Sequence, residues 1–162
     1  MAIENLLNVG DPCPFPTAEG EATGAGTQCN HGVQDESLSG QRYWYLPFVP
    51  NGINYVNAQG RDVVSYNFTG CLMVAYSFGG SQRVAHVSTG KGQDCLGSWA
   101  DVKAQSKNVF EFRPSDFIDT GGGAFGGCYG IITSDLKTYA VTVTRDSAGV
   151  KIAKVTMAHL LR

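Results

Sequence analysis

The chain has 162 residues, 43% hydrophobic and only 16% charged, which excludes a disordered segment and suits a single domain over 1–162. Its 21 glycines, about 13% against a usual ~7%, follow no Gly-X-Y period, so collagen is excluded and turns are favoured over long helices. The formal charge of −2 divides into an acidic start and a mildly basic remainder whose Lys and Arg residues are scattered, which argues against nucleic-acid binding and fits at most an acidic protein partner.

In chain order, Met1 to Gly10 has neither the basic nor the apolar region of a secretory signal. Residues 10–41 read as loop-rich or poorly ordered: Asp11-Pro12-Cys13-Pro14-Phe15-Pro16 precedes Gly20, Gly24 and Gly26 without periodicity. Cys13, Cys29 and His31 lack a fourth ligand and regular spacing, so unpaired loop thiols are expected there and no metal. From Arg42 onward strands are predicted at Tyr43 to Leu46, Ile53 to Val56, Arg61 to Tyr66, Cys71 to Phe78 and Arg83 to Thr89. Cys95 to Lys107 is the most helix-like stretch, with Leu96, Trp99, Val102 and Lys103 at helical spacing. Val109 to Phe112, Tyr129 to Thr133, Thr138 to Arg145 and Val150 to Met157 complete the strands. The expected fold is α+β: a β-rich sandwich of mostly antiparallel strands with one or two flanking helices.

Five cysteines with no CxxC leave an odd thiol in any disulfide framework, so a reducing environment is expected. The longest apolar run, Cys71 to Tyr76, is too short to span a bilayer, and no membrane partner is expected.

The most informative segment is Ser65-Tyr66-Asn67-Phe68-Thr69-Gly70-Cys71 with the hairpin after it. Leu72, Val74, Tyr76 and Phe78 are bulky and alternate with Cys71, Met73, Ala75 and Ser77, which predicts the first set in the core and the second on the opposite face. A two-residue turn at Gly79-Gly80 places Cys71 opposite Ser88 and Met73 opposite His86. Cys71 and His86 are then diagonal neighbours, about 7–8 Å apart at the backbone. A thiol beside an imidazole is the arrangement of nucleophilic catalysis, the base taking the proton that the attacking sulfur loses. Gly70 lets the backbone turn sharply, so that amides near Cys71 can form an oxyanion hole. The group orienting the imidazole need only accept a hydrogen bond; Ser65, Thr69 or a backbone carbonyl can serve.

A Ser or Thr, a Gly-preceded Cys six positions on, and a His about fifteen residues later in an apolar strand resembles the Cys-His protein glutamine deamidases. These include the bacterial chemoreceptor deamidases, cytotoxic necrotizing factor and the Burkholderia lethal factor. The matching residues, about 25 positions in extent, are Ser65, Phe68-Thr69-Gly70-Cys71-Leu72-Met73-Val74 and Val84-Ala85-His86-Val87. The resemblance implies Cys71 as nucleophile, His86 as base and Ser65 as third residue, with Gly70 and Thr69 supporting the oxyanion through the backbone. Ser65 stands where the family more often has Thr, and Thr69 where it has a small residue; both keep a hydroxyl. It also implies a β-sandwich fold, no cofactor, and hydrolysis of a protein glutamine to glutamate in a small GTPase or translation factor. The setting it implies is a toxin or effector secreted without a visible signal and acting in a host cytosol, the alternative being the bacterial cytoplasm.

Other motifs compete. Phe117-Ile118-Asp119-Thr120-Gly121 carries the aspartic-protease signature, which requires a dimer to supply a second aspartate; a simple turn is the competing reading. Gly121, Gly123 and Gly126 spell G-x-G-x-x-G, but a strand is expected after them instead of a helix, and Gly90-Lys91-Gly92 lacks the spacing of a phosphate loop. Asn67-Phe68-Thr69 is a glycosylation sequon that matters only in a secretory pathway. A non-enzymatic binding module using Tyr43, Trp44 and Tyr45 is a further alternative. Cys95 and Cys128 read as structural, and His159 as a packing or surface residue.

Overall fold

A computed structural model of the chain describes residues 3–22, 27–89 and 95–158. Within them run β1 (Thr27–Cys29), β2 (Gln34–Leu38), β3 (Gln41–Leu46), β4 (Gly52–Asn57), β5 (Asp62–Tyr66), β6 (Leu72–Phe78) and β7 (Ser81–Val87). Helix α1 (Leu96–Ala104) follows, then β8 (Lys107–Phe112), β9 (Phe125–Ile132), β10 (Thr138–Asp146) and β11 (Gly149–Ala158). Short 3-10 turns occupy Ile3–Leu6 and Pro114–Phe117. The strands form two sheets, in the orders β1-β4-β7-β6-β8 and β11-β10-β9-β5-β3-β2. All strand pairs are antiparallel except β1 with β4 and β3 with β5. The architecture is the expected α+β sandwich with one flanking α-helix among the described residues.

Three apolar clusters account for the layering. Between the sheets lie Met73, Ala75, Val84, Phe110 and Phe112 from one side and Leu46, Val63, Cys128, Ile132 and Ala140 from the other. The outer face of the five-stranded sheet carries Ile53, Val74, Tyr76, Ala85 and Val87, covered by Trp99 and Val102 of α1. Tyr43, Tyr45, Val64, Tyr129, Ile131 and Val141 form the outer face of the other sheet, under Ile3 and Phe15 of the N-terminal segment. Removing this apolar surface from water, at roughly 25 cal/mol per Å², is what holds helix and sheets together.

One expectation is refined and one is corrected. Residues 10–41, expected to be loop-rich or poorly ordered, also contain β1 and β2. β2 escaped notice because it is a polar edge strand, Gln-Asp-Glu-Ser-Leu, whose Asp35 is tied to Arg42 and Arg61. The alternation along β6 does not separate core from surface either. Its bulky residues Val74 and Tyr76 pack under α1, while the smaller set, Cys71, Met73 and Ala75, faces the opposing sheet. Both faces of the strand are therefore covered.

The register of the central hairpin follows from its turn. Gly79 and Gly80 both take positive φ, 58° and 85°, as a type I′ turn requires. Phe78 then pairs with Ser81 and Met73 with His86, as the two-glycine turn predicts.

In β9, Gly130 pairs with Ser65 of β5, and a methyl group added to it would lie 2.6 Å from Met73 Sδ, 3.0 Å from Pro114 and 3.1 Å from the Phe68 ring. Gly130→Ala is expected to destabilise the chain by about 1–3 kcal/mol through overpacking. Chemical denaturation compared with the parent checks this, and an unchanged midpoint would show that the sheets can separate at this point.

Candidate active site

Ser65 sits on β5 between Val64 and Tyr66, and side-chain alternation turns it with Val63 toward the space between the sheets. It is fully buried, so its hydroxyl needs partners. Ser65 Oγ lies 2.5 Å from the Leu46 carbonyl of neighbouring β3 and 2.7 Å from His86 Nδ1 of β7, on the opposing sheet. A carbonyl oxygen can only accept, so the single hydroxyl proton goes to Leu46 and the Ser65 oxygen accepts from Nδ1–H. This assigns the tautomer: Nδ1 carries the proton and Nε2 presents a lone pair.

The imidazole is held on its faces as well as its edge. Phe68 stacks on it at 4.0 Å with planes 10° apart, and Phe48 lies tilted at 5.1 Å. The ring is completely buried, and that burial brings its pKa down from 6.5 to about 3, so it is neutral at all ordinary pH values. Among the described residues Nε2 has no hydrogen-bond partner. A buried, unpartnered acceptor costs on the order of 1–3 kcal/mol, and such atoms are rare in folded proteins.

Cys71 precedes β6, on the same face as Met73 and His86 and two residue pairs along the hairpin from them. Its side chain is 5% exposed. Burial pushes the thiol pKa up, against the opposing influence of the Thr89 amide and hydroxyl and of the Arg113 guanidinium. Sγ thus faces Thr89, and no hydrogen bond joins it to His86 Nε2. Gly70 takes φ of +144°, a conformation that side chains rarely adopt, while a methyl there would meet little beyond Thr89 Oγ1 at 3.7 Å. The need for glycine at this position is conformational and not steric.

The structure joins Ser65 to His86 by a hydrogen bond, and it sets Gly70 and Cys71 just before β6, with Cys71 on the face of the hairpin that carries His86. Thr69 is exposed on the turn, and the hydroxyl beside the sulfur belongs to Thr89 instead. Phe68, Phe48, Thr89 and Arg113 were not foreseen as parts of the site. Phe68 lies within the quoted motif and Thr89 just beyond it, but Phe48 and Arg113 arrive from strand ends distant in sequence, and no local spacing announces them. Shallow grooves of about 280 Å³ lie elsewhere, one lined by Asn30, Val33, Trp44, Val56, Asn57 and Gln59 and another reaching Ser81 and Gln82 at the turn end of the hairpin. Neither touches Cys71 or His86, and the orphaned imidazole identifies the site better than groove size does.

The remaining candidates are dispersed. Asp119 accepts the Gly121 amide at 3.0 Å and the Lys154 ammonium at 3.2 Å, which hold its carboxyl below the usual range. That is an exposed turn with an ion pair, whereas a protease dyad needs a carboxyl able to share a proton. Gly121, Gly123 and Gly126 lead into β9, so no helix N-terminus follows them. Tyr43 and Tyr45 are buried, and Trp44 lies under Arg61 at 4.2 Å, so the three do not form an open contact surface. Cys13 packs with the outer cluster of the six-stranded sheet, whereas Cys29 belongs to the five-stranded sheet. No group of three or more His, Cys, Asp or Glu side chains able to hold a metal occurs among the described residues. None of the five cysteines forms a disulfide, and burial raises the Cys128 thiol to about 12. Asn67 Nδ2 donates to Glu19 at 2.7 Å. His159 and Gly90-Lys91-Gly92 lie outside the described residues. No described helix is long and apolar enough to cross a membrane.

Comparisons with protein-family models, curated proteins and solved structures returned no match for the chain.

The buried imidazole makes a pH prediction. His86 stays neutral in the folded chain down to about pH 3, whereas its ordinary value in an unfolded chain is 6.5. The unfolded state therefore binds more protons below 6.5, and stability falls as pH drops from 6.5 toward 3. Between pH 7 and 5 the parent is expected to lose about 2 kcal/mol more than His86→Gln. Denaturant titrations of both proteins at the two pH values measure the difference; equal losses would mean that His86 can protonate in place.

Proposed function

We propose that the chain is a thiol amidohydrolase that deamidates a glutamine side chain of a protein substrate, with Cys71 as nucleophile, His86 as general base and acid, and Ser65 as the residue that orients the imidazole. The observation that carries this reading is the bond from His86 Nδ1–H to Ser65, with Nε2 left unpartnered on the face of the hairpin that bears Cys71. A structural histidine in a packed core normally satisfies both nitrogens. A base that waits for a proton has one nitrogen fixed and the other open.

The reaction balances with these groups alone. As Sγ attacks the side-chain carbonyl carbon of glutamine, its proton passes to Nε2 and the carbonyl electron pair moves to oxygen. Collapse of the tetrahedral intermediate expels the amide nitrogen, which takes the proton from Nε2 and leaves as ammonia. Water then gives a proton to Nε2 and attacks the thioester, and Sγ departs and recovers that proton. The net change is glutamine plus water to glutamate plus ammonia. The Cys71 and nearby amides, turned by Gly70, supply the donors that such an oxyanion needs.

Both resting groups are neutral, the thiol raised and the imidazole lowered by the same burial. That favours proton transfer during attack over a preformed thiolate–imidazolium pair. Sγ must first turn from Thr89 toward Nε2, a side-chain rotation. The choice of a protein glutamine rests on the resemblance to the Cys-His deamidases, which also points to a small GTPase or translation factor as substrate. Unpaired cysteines fit work in a reducing cytosol, whether that of a host reached by a secreted effector or that of a bacterium.

Incubation of small GTPases, translation factors and whole host-cell lysate with the protein, followed by peptide mass spectrometry, tests the reading. A glutamine-to-glutamate gain of about one dalton is expected, absent with Cys71→Ala and reduced at least 10²-fold or so with His86→Ala. Ser65→Ala is expected to lower the rate less, since water can replace the hydroxyl. A gain that persists undiminished in Cys71→Ala would sink the proposal.

A further inference from the structure

Beyond the Cys-His-Ser set, one cation stands beside the nucleophile. β6 is flanked on its second side by β8, with Met73 paired to Phe112, so the next residue, Arg113, emerges beside the start of β6. Its Nε–H donates to the Gly70 carbonyl at 2.8 Å. That carbonyl belongs to the peptide whose N–H is the amide of Cys71. The bond thus anchors the guanidinium next to the nucleophile and polarises the amide available to an oxyanion. Arg113 is half-buried, and none of the ion pairs among the described residues includes it. A half-buried guanidinium without a carboxylate partner is poised for negative charge that arises only during a reaction.

We propose that Arg113 is the charge-stabilising residue of this site, favouring the Cys71 thiolate and then the oxyanion of the tetrahedral intermediate. The role deepens the thiol-amidohydrolase reading and rests on it. Its geometry departs from a merely structural tie in one respect: Nε is used by the backbone, while neither terminal nitrogen makes a hydrogen bond or ion pair among the described residues. Burial raises the Cys71 thiol and Arg113 acts in the opposite direction, with the Thr89 amide and hydroxyl. Because His86 is neutral, it supplies no positive charge before attack.

Thiol alkylation tests the role without a known substrate, so failure here is distinguishable from absence of deamidation in the mass-spectrometric assay. The Cys71 peptide is followed by mass spectrometry while the protein reacts with neutral iodoacetamide or anionic iodoacetate across a pH series. Arg113→Gln is expected to move the iodoacetamide profile to higher pH, slowing the reaction at neutral pH on the order of tenfold. It is also expected to lower the iodoacetate-to-iodoacetamide rate ratio, while Arg113→Lys, which keeps the charge, restores most of both. Folding of each variant is checked by circular dichroism. A folded Arg113→Gln with the parent's profile and ratio overturns the proposal. Should that variant not fold, the parent decides: added salt is expected to slow iodoacetate at Cys71 by a larger factor than iodoacetamide. Equal salt responses of the two reagents overturn it.

Discussion

The hydrogen-bonded chain from His86 through Ser65 to the Leu46 carbonyl crosses the apolar space between two sheets, and the geometry of the candidate site depends on it. Two strands of one sheet, β3 and β5, supply the carbonyl and the hydroxyl, while β7 of the other sheet supplies the ring. Because the carbonyl claims the hydroxyl proton, the chain has a direction, and that direction leaves Nε2 as the open base. An apolar side chain at position 86 would avoid the desolvation that lowers the imidazole pKa to about 3. The fold instead keeps a polar ring stacked on Phe68 with one nitrogen unsatisfied. Stability alone gives no reason for that choice, whereas general-base chemistry does.

Burial has two opposed effects here. It fixes the imidazole between Phe68 and Phe48 and shields it from competing water, but it also disfavours both charged partners of a thiolate–imidazolium pair. In the proposed reaction a substrate amide entering this space would bring its own polar atoms, so charge would appear only when there is something to receive it. Local donors would then decide how far the reaction proceeds. Thr89 and Arg113 lie on the sulfur's side and oppose the effect of burial, and Gly70 sets the backbone that carries the intervening peptide.

Legibility in the sequence followed the range of the interactions. The hairpin register was legible because two adjacent glycines favour a two-residue turn, and pairing then follows by counting. Ser65, Cys71 and His86 could be picked out together because they lie within 22 residues, on β5, just before β6 and on β7. The face of β6 that meets the other sheet was not, since a strand covered by a helix on one side and a sheet on the other buries both sets of alternating residues. β2 was hidden because its polar edge depends on pairing with β3 and not on its own hydrophobicity. Arg113 and Phe48 reach the site from separate strand ends, and only the assembled sheets bring them there.

The odd set of five cysteines makes the same distinction between composition and placement. Burial raises the thiols of Cys13, Cys29, Cys71 and Cys128 alike, so burial cannot single out a nucleophile. Among these four, Cys71 is the one with a guanidinium acting on it and a neutral imidazole on the same face of its hairpin. A thiol becomes reactive when its surroundings stabilise the anion and a base can take the proton. Cys128, raised to about 12 with its Sγ donating to the Tyr129 carbonyl, meets neither condition. Its neighbour in the core, Gly130, instead leaves the room in which Phe68 can lie flat on the imidazole. What separates Cys71 from the other buried thiols of this fold is therefore the polarity of the few atoms that surround the sulfur.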